Sequence, residues 1–542
     1  MAEETYPALL DRLERSPETE LLRFHGRPIA AGEACRTIRA IAAALAARGL
    51  GRGDRVAIWL PNRPEWVLIH MAALSIGALS VPIQTRYGAG ETATILKQSG
   101  ARILFLQAGF RGIDFTALLA EAGAALAADG LAPPETVVLD RPEGAADGWQ
   151  AFLAGGSGGG PAAEALRARV MPDDPALCIF TSGTTGVPKG VLLSHRAILA
   201  TESRVGDVME LGPADRVLYA PPLASVFGCC NALTASWTHG ASLVLLETFD
   251  AGDSLATIAR DRCTALYGVP TMFLMQLEHP DLARTDRSSL RTGIVGGAPA
   301  SRELVTAIVE TLGVRGLISG YGLSETCAVV TLTRIGDPPA VVSETVGRPL
   351  PDVAVRIAER AEGRVLGPDE DGEIQVKGCN LMLGYLDRPE ATAAAFTADG
   401  WLRTGDIGRL DAAGNLRITG RSSDMYLVGG FNVYPAEVEA LLASHPAVAE
   451  ACVVGVPDRR LGEVGCAFLR LRPGAEADAE ELAAFCGGRI ARHKVPRYLT
   501  FLDELPMTPL GKLHRQRLRA MGAALASETN SPGITARPGG KQ

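Results

Sequence analysis

Hydroxyl side chains, glycines and one lysine are concentrated between Thr181 and Gly190. The stretch reads TSGTTGVPKG and directly follows the apolar run Leu177–Phe180. Glycine lets backbone N–H groups approach an anion, hydroxyls donate hydrogen bonds, and lysine supplies a positive charge. A strand that leads into such a loop could therefore hold a polyphosphate. A Gly/Thr-rich surface turn is the simpler alternative, and this stretch alone leaves both interpretations open.

Five other short stretches carry groups suited to a nucleotide site. They combine glycine-rich backbone, an aromatic ring, carboxylates, a guanidinium group and a second lysine, and they lie at Gly296–Pro299, Gly320–Thr326, Trp401–Asp406, Gly420–Arg421 and Pro509–Lys512. An aromatic face can stack on a base, a carboxylate beside phosphate oxygens can hold Mg²⁺, and a planar guanidinium suits phosphate. Any one stretch could be an ordinary turn, but their joint presence favours a nucleotide-dependent enzyme.

Alternating predicted strands and helices provide the framework for these stretches. Apolar spacing typical of helices, between 31 and 50 and from Pro64 to Leu74, alternates with apolar runs typical of buried strands. The predicted strands are Arg55–Leu60, Ser80–Ile83, Ile103–Leu106, Val137–Leu139, Val217–Ala220, Ser242–Leu246, Ala265–Gly268, Gly293–Val295 and Gly316–Ser319. This alternation predicts an α/β fold. The glycine-rich segment Ala154–Pro161 is expected to be an exposed spacer that packs against no core.

The chain is too long for a single core. Its 542 residues predict two or more domains. Short strands with Gly and Asp-Gly turns between 346 and 420 predict a β-rich, barrel-like subdomain. We therefore expect a large N-terminal domain of α/β sheets over 1–420, a small α+β C-terminal domain over 421–522, and a disordered tail over 523–542.

Composition argues against several classes of protein. The net charge is −8 and the Lys and Arg residues form no basic run, so no nucleic-acid partner is expected. The ten cysteines include no CxxC pair, and we expect them to be reduced and mostly buried. The sequence shows no signal-peptide pattern and no apolar stretch of bilayer length, which predicts a cytoplasmic protein without a transmembrane segment.

Taken in this order, the six stretches resemble the motifs of the adenylate-forming superfamily, which includes acyl-CoA synthetases, luciferases and the adenylation domains of peptide synthetases. The resemblance covers the chain from about residue 20 to about residue 520. It is most specific to medium-chain fatty acyl-CoA synthetases, through Tyr267–Phe273, Met382–Tyr385 and Gly429–Glu439. It implies a two-step reaction: a carboxylic acid and Mg·ATP form an acyl-adenylate and pyrophosphate, and the CoA thiol then displaces AMP.

The resemblance also implies a role for residues of each stretch. ATP and AMP would be bound by Thr181, Ser182, Gly183, Thr184, Thr185, Gly186, Lys189, Gly297, Ala298, Pro299, Gly320, Tyr321, Gly322, Asp406 and Arg421. Within this set, Tyr321 would stack on adenine and Asp406 would bind the ribose. Ser324 would contact the α-phosphate, Glu325 would hold Mg²⁺, and Lys512 would bridge the attacking carboxylate and the α-phosphate, where charge develops. The first step would need alignment and charge neutralisation more than covalent help.

The second step implies that the C-terminal domain is mobile and rotates about a hinge at Ser423, where Asp or Lys is more common. Gly429 and Gly430 would then line the CoA tunnel. The acyl pocket would draw on uncharged positions, namely Ser225, Val226, Phe227, Cys229, Gly296, Cys327 and Val329. A charged acyl tail would be unpaired there, so an uncharged medium-chain, branched, alicyclic or aryl acid is expected. The small residues Ala224 and Ser225 predict either an enlarged pocket or gating by Phe227.

The same sequence features bear on functions other than that of an acid–CoA ligase. An enzyme that loads the acyl group onto a carrier-protein thiol remains open, although the chain shows no carrier-like segment. A P-loop NTPase is excluded because Gly190 follows Lys189 where Ser or Thr is required. A catalytically inactive relative is disfavoured because Glu325, Asp406 and Lys512 are all present. A homodimer is a further expectation.

Overall fold

The structure is a computed structural model that describes residues 4–141, 145–181, 188–360, 363–421, 424–429, 431–487, 489–507 and 513–528, without the side chains of Phe431 and Asn432. The chain divides into two compact units. The first contains Met1–Arg356, Gln375–Arg403 and Asp411–Arg417. The second contains Ile357–Ile374, Thr404–Leu410 and Ile418–Gln542. The predicted boundary after residue 420 and the predicted mobility of the C-terminal domain stay predictions.

Strands and helices alternate along most of the described chain. The strands are β1 (Glu20–Phe24), β2 (Arg27–Ala30), β3 (Arg55–Trp59), β4 (Leu79–Pro82), β5 (Ile103–Leu106), β6 (Gly109–Phe110), β7 (Ile113–Asp114), β8 (Glu135–Val138), β9 (Pro175–Thr181), β10 (Lys189–Ser194), β11 (Arg216–Tyr219), β12 (Ser242–Leu245), β13 (Ala265–Gly268), β14 (Thr292–Val295), β15 (Gly316–Tyr321), β16 (Thr331–Leu332), β17 (Arg348–Pro349), β18 (Val353–Ala358), β19 (Gly372–Gly378), β20 (Gly384–Tyr385), β21 (Leu402–Leu410), β22 (Leu416–Arg421), β23 (Tyr426–Val428), β24 (Phe431–Val433), β25 (Val448–Asp458), β26 (Gly462–Leu471) and β27 (Tyr498–Phe501).

The α-helices are α1 (Tyr6–Glu14), α2 (Ala31–Ala47), α3 (Pro64–Ser75), α4 (Ala89–Ser99), α5 (Phe115–Ala128), α6 (Trp149–Ala154), α7 (Gly160–Arg167), α8 (His195–Val208), α9 (Leu233–Thr238), α10 (Ala251–Asp261), α11 (Pro270–Glu278), α12 (Arg302–Ala307), α13 (Pro339–Glu344), α14 (Pro389–Ala395), α15 (Pro435–Ala443), α16 (Ala479–Gly487) and α17 (Arg515–Glu528). Short π-helical turns cover Val226–Ala232 and Ile308–Leu312, and 3₁₀ turns cover Pro280–Arg284, Ser324–Thr326 and Arg492–Lys494.

The first unit contains a nine-stranded sheet in the order β17-β16-β15-β14-β13-β11-β12-β1-β2. Its inner pairs, from β15 through β14, β13, β11 and β12 to β1, are parallel. Four of these strands, β11–β14, have every residue buried except Arg216, as expected for strands covered on both faces. Because parallel strands end at the same edge, the segments after Tyr219, Gly268, Val295 and Tyr321 are brought to one side of this sheet.

A second sheet of the first unit carries the predicted phosphate-loop stretch. Its seven strands run in the order β20-β10-β9-β4-β3-β5-β8. β9 and β10 form an antiparallel pair in which Thr181 lies opposite Lys189. The short strand β20 then pairs with β10, with Tyr385 opposite Val191. These two sheets and their helices confirm the predicted α/β class.

The segment Ala154–Pro161 is exposed at most positions, as predicted, but the expectation that it packs against no core is wrong. Gly156 and Gly159 are buried between α6 and α7, and both pack against the backbone of α2. A Cβ atom at Gly159 would lie 2.1 Å from the carbonyl oxygen of Ala43, and one at Gly156 would lie 2.9 Å from Cα of Ala44. The glycines therefore permit close helix packing here, a use that composition alone does not separate from a flexible linker.

The strand-rich region predicted between 346 and 420 forms a four-stranded sheet in the order β18-β19-β21-β22. A separate sheet, built from β24-β23-β26-β25 with β27 paired to β26, belongs entirely to the second unit. Helix α17 belongs to this unit, and its residues Leu518, Met521 and Leu525 pack with the core of Phe468 and neighbouring side chains. The predicted start of the disordered tail at 523 is therefore wrong, because this apolar stripe continues the helix to Glu528.

The state of the cysteines and the length of the apolar helices bear on two further predictions. All ten cysteines are free, and nine of them are buried, in agreement with the sequence prediction. Within the described ranges, no helix has both the length and the apolar character needed to cross a membrane.

Candidate active site

Two residues of the predicted phosphate-binding stretch, Thr181 and Lys189, lie side by side. Thr181 ends β9, Lys189 begins β10, and the two are paired across the hairpin. The Lys189 ammonium group lies 5.0 Å from the centre of the Tyr385 ring, a cation–π contact. The loop residues between them that were predicted to bind phosphate, Ser182, Gly183, Thr184, Thr185 and Gly186, lie outside the described residues.

The same tyrosine also holds Glu325, the predicted magnesium ligand. The Tyr385 hydroxyl donates a 2.9 Å hydrogen bond to Oε1 of Glu325, and the Met382 N–H donates to the Glu325 carbonyl oxygen at 2.9 Å. Burial and the neighbouring Glu325 carboxylate raise the pKa of Tyr385 above its ordinary value, so the phenol remains a donor at neutral pH. Lys189 and Glu325 are thus brought to opposite parts of one aromatic side chain.

Tyr385 was not among the residues predicted to bind substrate. It does lie in the run Met382–Tyr385 that carries part of the family resemblance. Its backbone N–H donates to Thr392 Oγ1 at 2.9 Å, which ties β20 to the start of α14. A tyrosine in a short apolar run is ordinary in sequence, and only the folded chain shows that its hydroxyl reaches a carboxylate.

The strand ends of the nine-stranded sheet place the remaining nucleotide-binding predictions of the first unit. Gly297, Ala298 and Pro299 follow β14 and are exposed. Gly320 and Tyr321 end β15, and Ser324 and Glu325 follow in a 3₁₀ turn in which both are half-buried. A Cβ atom at Gly322 would lie only 1.9 Å from the Ala328 carbonyl oxygen, so this position admits no side chain. The backbone after the turn thus returns to the end of β15, and Ser324 and Glu325 lie in the turn between these two segments.

The second unit brings together Asp406 and Arg421, the residues predicted to bind ribose and phosphate. Nε of Arg421 lies 2.8 Å from Oδ1 of Asp406. The carboxylate is 3% exposed and the guanidinium 57% exposed, so the pair presents a cation above a buried anion. The Asp406 N–H donates to Thr404 Oγ1 at 3.1 Å, and Thr404 in turn donates to the Ile374 carbonyl oxygen at 2.7 Å.

The other predictions in the second unit are only partly described. Gly429 follows the hairpin strand β23, is exposed, and adopts a φ of 58°. Its N–H donates to the Leu461 carbonyl oxygen at 2.8 Å. Ser423, Gly430 and Lys512, predicted as hinge, tunnel and catalytic residues, lie outside the described residues.

The predicted acyl-pocket segment folds as a capped helical turn. Ser225 precedes the π-helical turn Val226–Ala232, and its hydroxyl accepts a 3.2 Å hydrogen bond from Gly228 N–H and donates to the Pro222 carbonyl oxygen at 2.8 Å. Val226 and Phe227 are half-buried, whereas Cys229 is fully buried. Ser225 is therefore a helix cap as well as a candidate pocket residue.

Three aromatic rings form one wall of this region. The Phe227 ring lies 5.3 Å from that of Tyr267 and 6.2 Å from that of Tyr219. A Cβ atom at Gly296 would lie 3.6 Å from the Phe227 ring, so these two predicted pocket residues are neighbours, and their contact with substrate stays a prediction. Cys327 and Val329 are buried after β15. Tyr219 and Tyr267 were missed because each reads as an ordinary buried strand residue.

A buried carboxyl group lies close to this region. Glu202 on α8 is 0% exposed, and neither of its oxygens has a hydrogen-bond partner within the described part of the chain. Burial and the nearby Cys229 raise its pKa well above the ordinary value, so the group is protonated. A buried polar group without a partner costs about 1–3 kcal/mol. The sequence did hold a signal, because Glu202 falls four residues after Ile198 and three before Val205, on the apolar stripe of its helix.

Two family descriptions match the chain. One, AMP-binding enzyme, matches residues 9–386, and the other, AMP-binding enzyme C-terminal domain, matches residues 437–512. A relative from Mycobacterium tuberculosis is 42% identical over 96% of this chain and 99% of its own length, and is named as a ligase of CoA and a propanoyl group that carries a methyl-dioxo-octahydroindenyl ring system. A mitochondrial medium-chain acyl-CoA ligase of Macaca fascicularis is 35% identical over 88% of this chain and 80% of its own.

Solved structures show the same fold. The crystal structure of ATP-bound MatB from Rhodopseudomonas palustris covers 97% of this chain and 100% of its own, with a TM-score of 0.82 and 28% identity. An o-succinylbenzoate CoA synthetase from Bacillus subtilis, in complex with its acyl-adenylate intermediate, gives a TM-score of 0.78 at 30% identity over 96% of this chain. The predicted resemblance is confirmed over nearly the whole chain.

Proposed function

The chain belongs to the family of AMP-binding enzymes and is an acid–CoA ligase, and from this premise we propose that it activates a carboxylic acid whose tail is uncharged and contains an alicyclic ring or a medium-length chain. ATP converts the acid to its adenylate with release of pyrophosphate, and CoA then displaces AMP. The main support for this substrate class is the 42% identity, over nearly the full length of both chains, to a ligase for a ring-bearing propanoyl group.

The contact of Lys189, Tyr385 and Glu325 supports the activation step. In this proposal Lys189 interacts with the phosphates at the exit of the loop that begins at Thr181, while Ser324 contacts the α-phosphate from the 3₁₀ turn. Gly297 to Pro299 and the ring of Tyr321 surround the adenine. The exposed backbone at 297–299 and the steric restriction at Gly322 support this assignment.

Glu325 fits a magnesium ion that arrives with ATP. Mg²⁺ is commonly held by one or two carboxylates together with substrate phosphates rather than by a cage of protein ligands. In keeping with this, no group of three or more His, Cys, Asp or Glu side chains that could hold a metal occurs among the described residues. Oε1 of Glu325 accepts from Tyr385, which fixes the carboxylate and leaves Oε2 for a cation. When bound, the ion would neutralise phosphate charge.

The second unit contributes residues with separate roles. The exposed guanidinium of Arg421 and the buried carboxylate of Asp406 suit phosphate and ribose hydroxyls, respectively. Lys512 is proposed to stabilise the charge that develops between the acid and the α-phosphate, and Gly429 and Gly430 to admit the CoA thiol after rotation about Ser423. A cytoplasmic location and a homodimer complete the proposal; the ten free cysteines suit a reducing compartment.

A panel of carboxylic acids tests this function. The acids include matched linear, alicyclic and aryl members and one dicarboxylate, each supplied with ATP and CoA. Pyrophosphate release reports the first step, and mass spectrometry identifies the thioester. We expect acyl-CoA from alicyclic or medium-chain acids and little from the dicarboxylate. A parallel reaction with a purified carrier protein in place of CoA tests the alternative acceptor; faster loading of the carrier would contradict the proposal.

A further inference from the structure

The activation step proposed above assigns no role to the buried carboxyl group of Glu202. It lies on α8, between residues that face the protein interior, and both of its oxygens are without a hydrogen-bond partner in the described structure. Natural proteins rarely leave such a group unsatisfied, and the exceptions call for an explanation. A purely structural role explains the buried carboxyl group poorly, because an apolar side chain of the same size would pack here without the desolvation cost.

The groups around Glu202 connect it to the acyl region. Cys229, Cys230, Cys327, Tyr6 and Tyr267 all lie near enough to interact with it electrostatically. None of these five side chains carries a positive charge, so nothing in this set would compensate an ionised carboxylate.

Three of these neighbours also belong to the candidate pocket or its wall. Cys229 and Cys327 were predicted to line the pocket, and Tyr267 packs against Phe227, which adjoins Gly296. The Tyr267 hydroxyl is already occupied, since it donates to the sulfur of Met209 at 3.1 Å. Glu202 therefore lies close to residues of the candidate pocket, among thiols and phenols, and its carboxyl group has no hydrogen-bond partner in the described structure.

We propose that Glu202 determines substrate specificity by donating a hydrogen bond from its neutral carboxyl group to a ketone or hydroxyl oxygen on the part of the acyl group remote from the reacting carboxylate. This inference rests on the proposed function, which it narrows to acids that carry an uncharged oxygen on the ring or chain. A site with a buried donor discriminates against an analogue that leaves the donor unpaired. An acid with a second carboxylate is disfavoured at the same place, because no cation among the five neighbours would pair with it.

Matched acids and matched variants test the proposal. Pairs of alicyclic acids that differ only by one remote ketone or hydroxyl oxygen are compared in the wild type, Glu202→Gln and Glu202→Met. Gln keeps a donor in nearly the same position, and Met is an apolar residue of similar length. We expect the wild type to prefer the oxygenated acid by about tenfold or more in kcat/KM, Gln to retain a preference, and Met to reduce the ratio to about one. Equal ratios in the wild type and Met, or equal loss in Gln and Met, would overturn the proposal.

A binding measurement separates this inference from the proposed function. Thermal shifts with the same acid pairs and ATP need no thioester formation, so they report on Glu202 even if the acceptor is not CoA. A larger shift with the oxygenated acid in the wild type, absent in Glu202→Met, supports the hydrogen bond. Infrared difference spectra give a third readout, because the protonated Glu202 carbonyl band should move on binding the oxygenated acid only. An unmoved band would count against a direct contact and favour a buried water as the partner.

Discussion

Replacing Tyr385 by Phe tests whether this tyrosine positions the residues that act on ATP. The change removes the hydroxyl that donates to Glu325 at 2.9 Å and keeps the ring on which Lys189 lies. A hydrogen bond to a charged group contributes about 1.5–3 kcal/mol. Because Tyr385 and Glu325 are both half-buried, the lower end applies, and about 1.5 kcal/mol corresponds to about a tenfold lower rate.

The assay is pyrophosphate exchange with saturating acid, followed across a range of magnesium concentrations. Tyr385→Phe should lower the exchange rate about tenfold and leave thioester formation from supplied acyl-adenylate nearly unchanged. Tyr385→Leu removes the ring as well, and the lost cation–π contact of about 0.5–1 kcal/mol should slow exchange a further two- to fivefold.

The two variants separate the role of the hydroxyl from that of the ring. An exchange rate for Tyr385→Phe within twofold of the wild type would show that the hydroxyl does not position Glu325 for catalysis. Equal loss in both half-reactions would instead indicate a general disturbance of β20 and its pairing with β10. A magnesium requirement that is the same in all three proteins would argue against Glu325 as the metal ligand.

Three other outcomes are expected. Lys512→Ala should slow pyrophosphate release about 10²–10³-fold and spare thioester formation from supplied adenylate, and equal loss in both steps would refute its assigned role. Ser225→Phe should shorten the accepted acyl chain, whereas Ser225→Ala loses the same helix cap without adding bulk; matching chain-length profiles would remove Ser225 from the pocket. Glu202→Gln should stabilise the fold increasingly as pH rises above about 4.5. The unfolded wild type releases the Glu202 proton there while the folded state retains it, so this group alone lowers wild-type stability relative to the variant by about 1.4 kcal/mol per pH unit, up to its folded pKa. Melting curves whose difference is independent of pH would contradict the buried, protonated state.

Sequence patterns predicted many of the strands and helices because a buried face requires apolar residues at regular spacing within a short segment. The apolar runs Ile103–Leu106 and Ala265–Gly268 became strands with the predicted bounds, and both are buried throughout. Periodicity reports which face of an element is covered, but not what covers it. The glycines at 156 and 159 show this limit, since a flexible spacer and a tight contact with α2 have the same local composition.

The candidate site residues that could be predicted are those that belong to short sequence motifs. The motif around Ser324 and Glu325 and the pair Asp406 and Arg421 were recognised by residue type and order, and the structure places each pair together within its own unit. Their actions on ATP and the acid remain predictions. Tyr219, Tyr267 and Tyr385 were not recognised, because an aromatic residue in or beside a strand is ordinary until its partner is known.

By itself, the sequence determined the family, the α/β class and the chemical groups available to a nucleotide and an acid, since these depend on residue types and spacing within short segments. Only the tertiary structure decided which of those groups meet. Glu325 and Tyr385 are 60 residues apart in the chain, and Lys189 precedes both, yet strand pairing brings them to one place. The isolation of Glu202 among thiols and phenols is likewise a property of packing. A hydrogen bond or its absence depends on atoms within about 3 Å of one another, and such contacts are set by the folded chain as a whole.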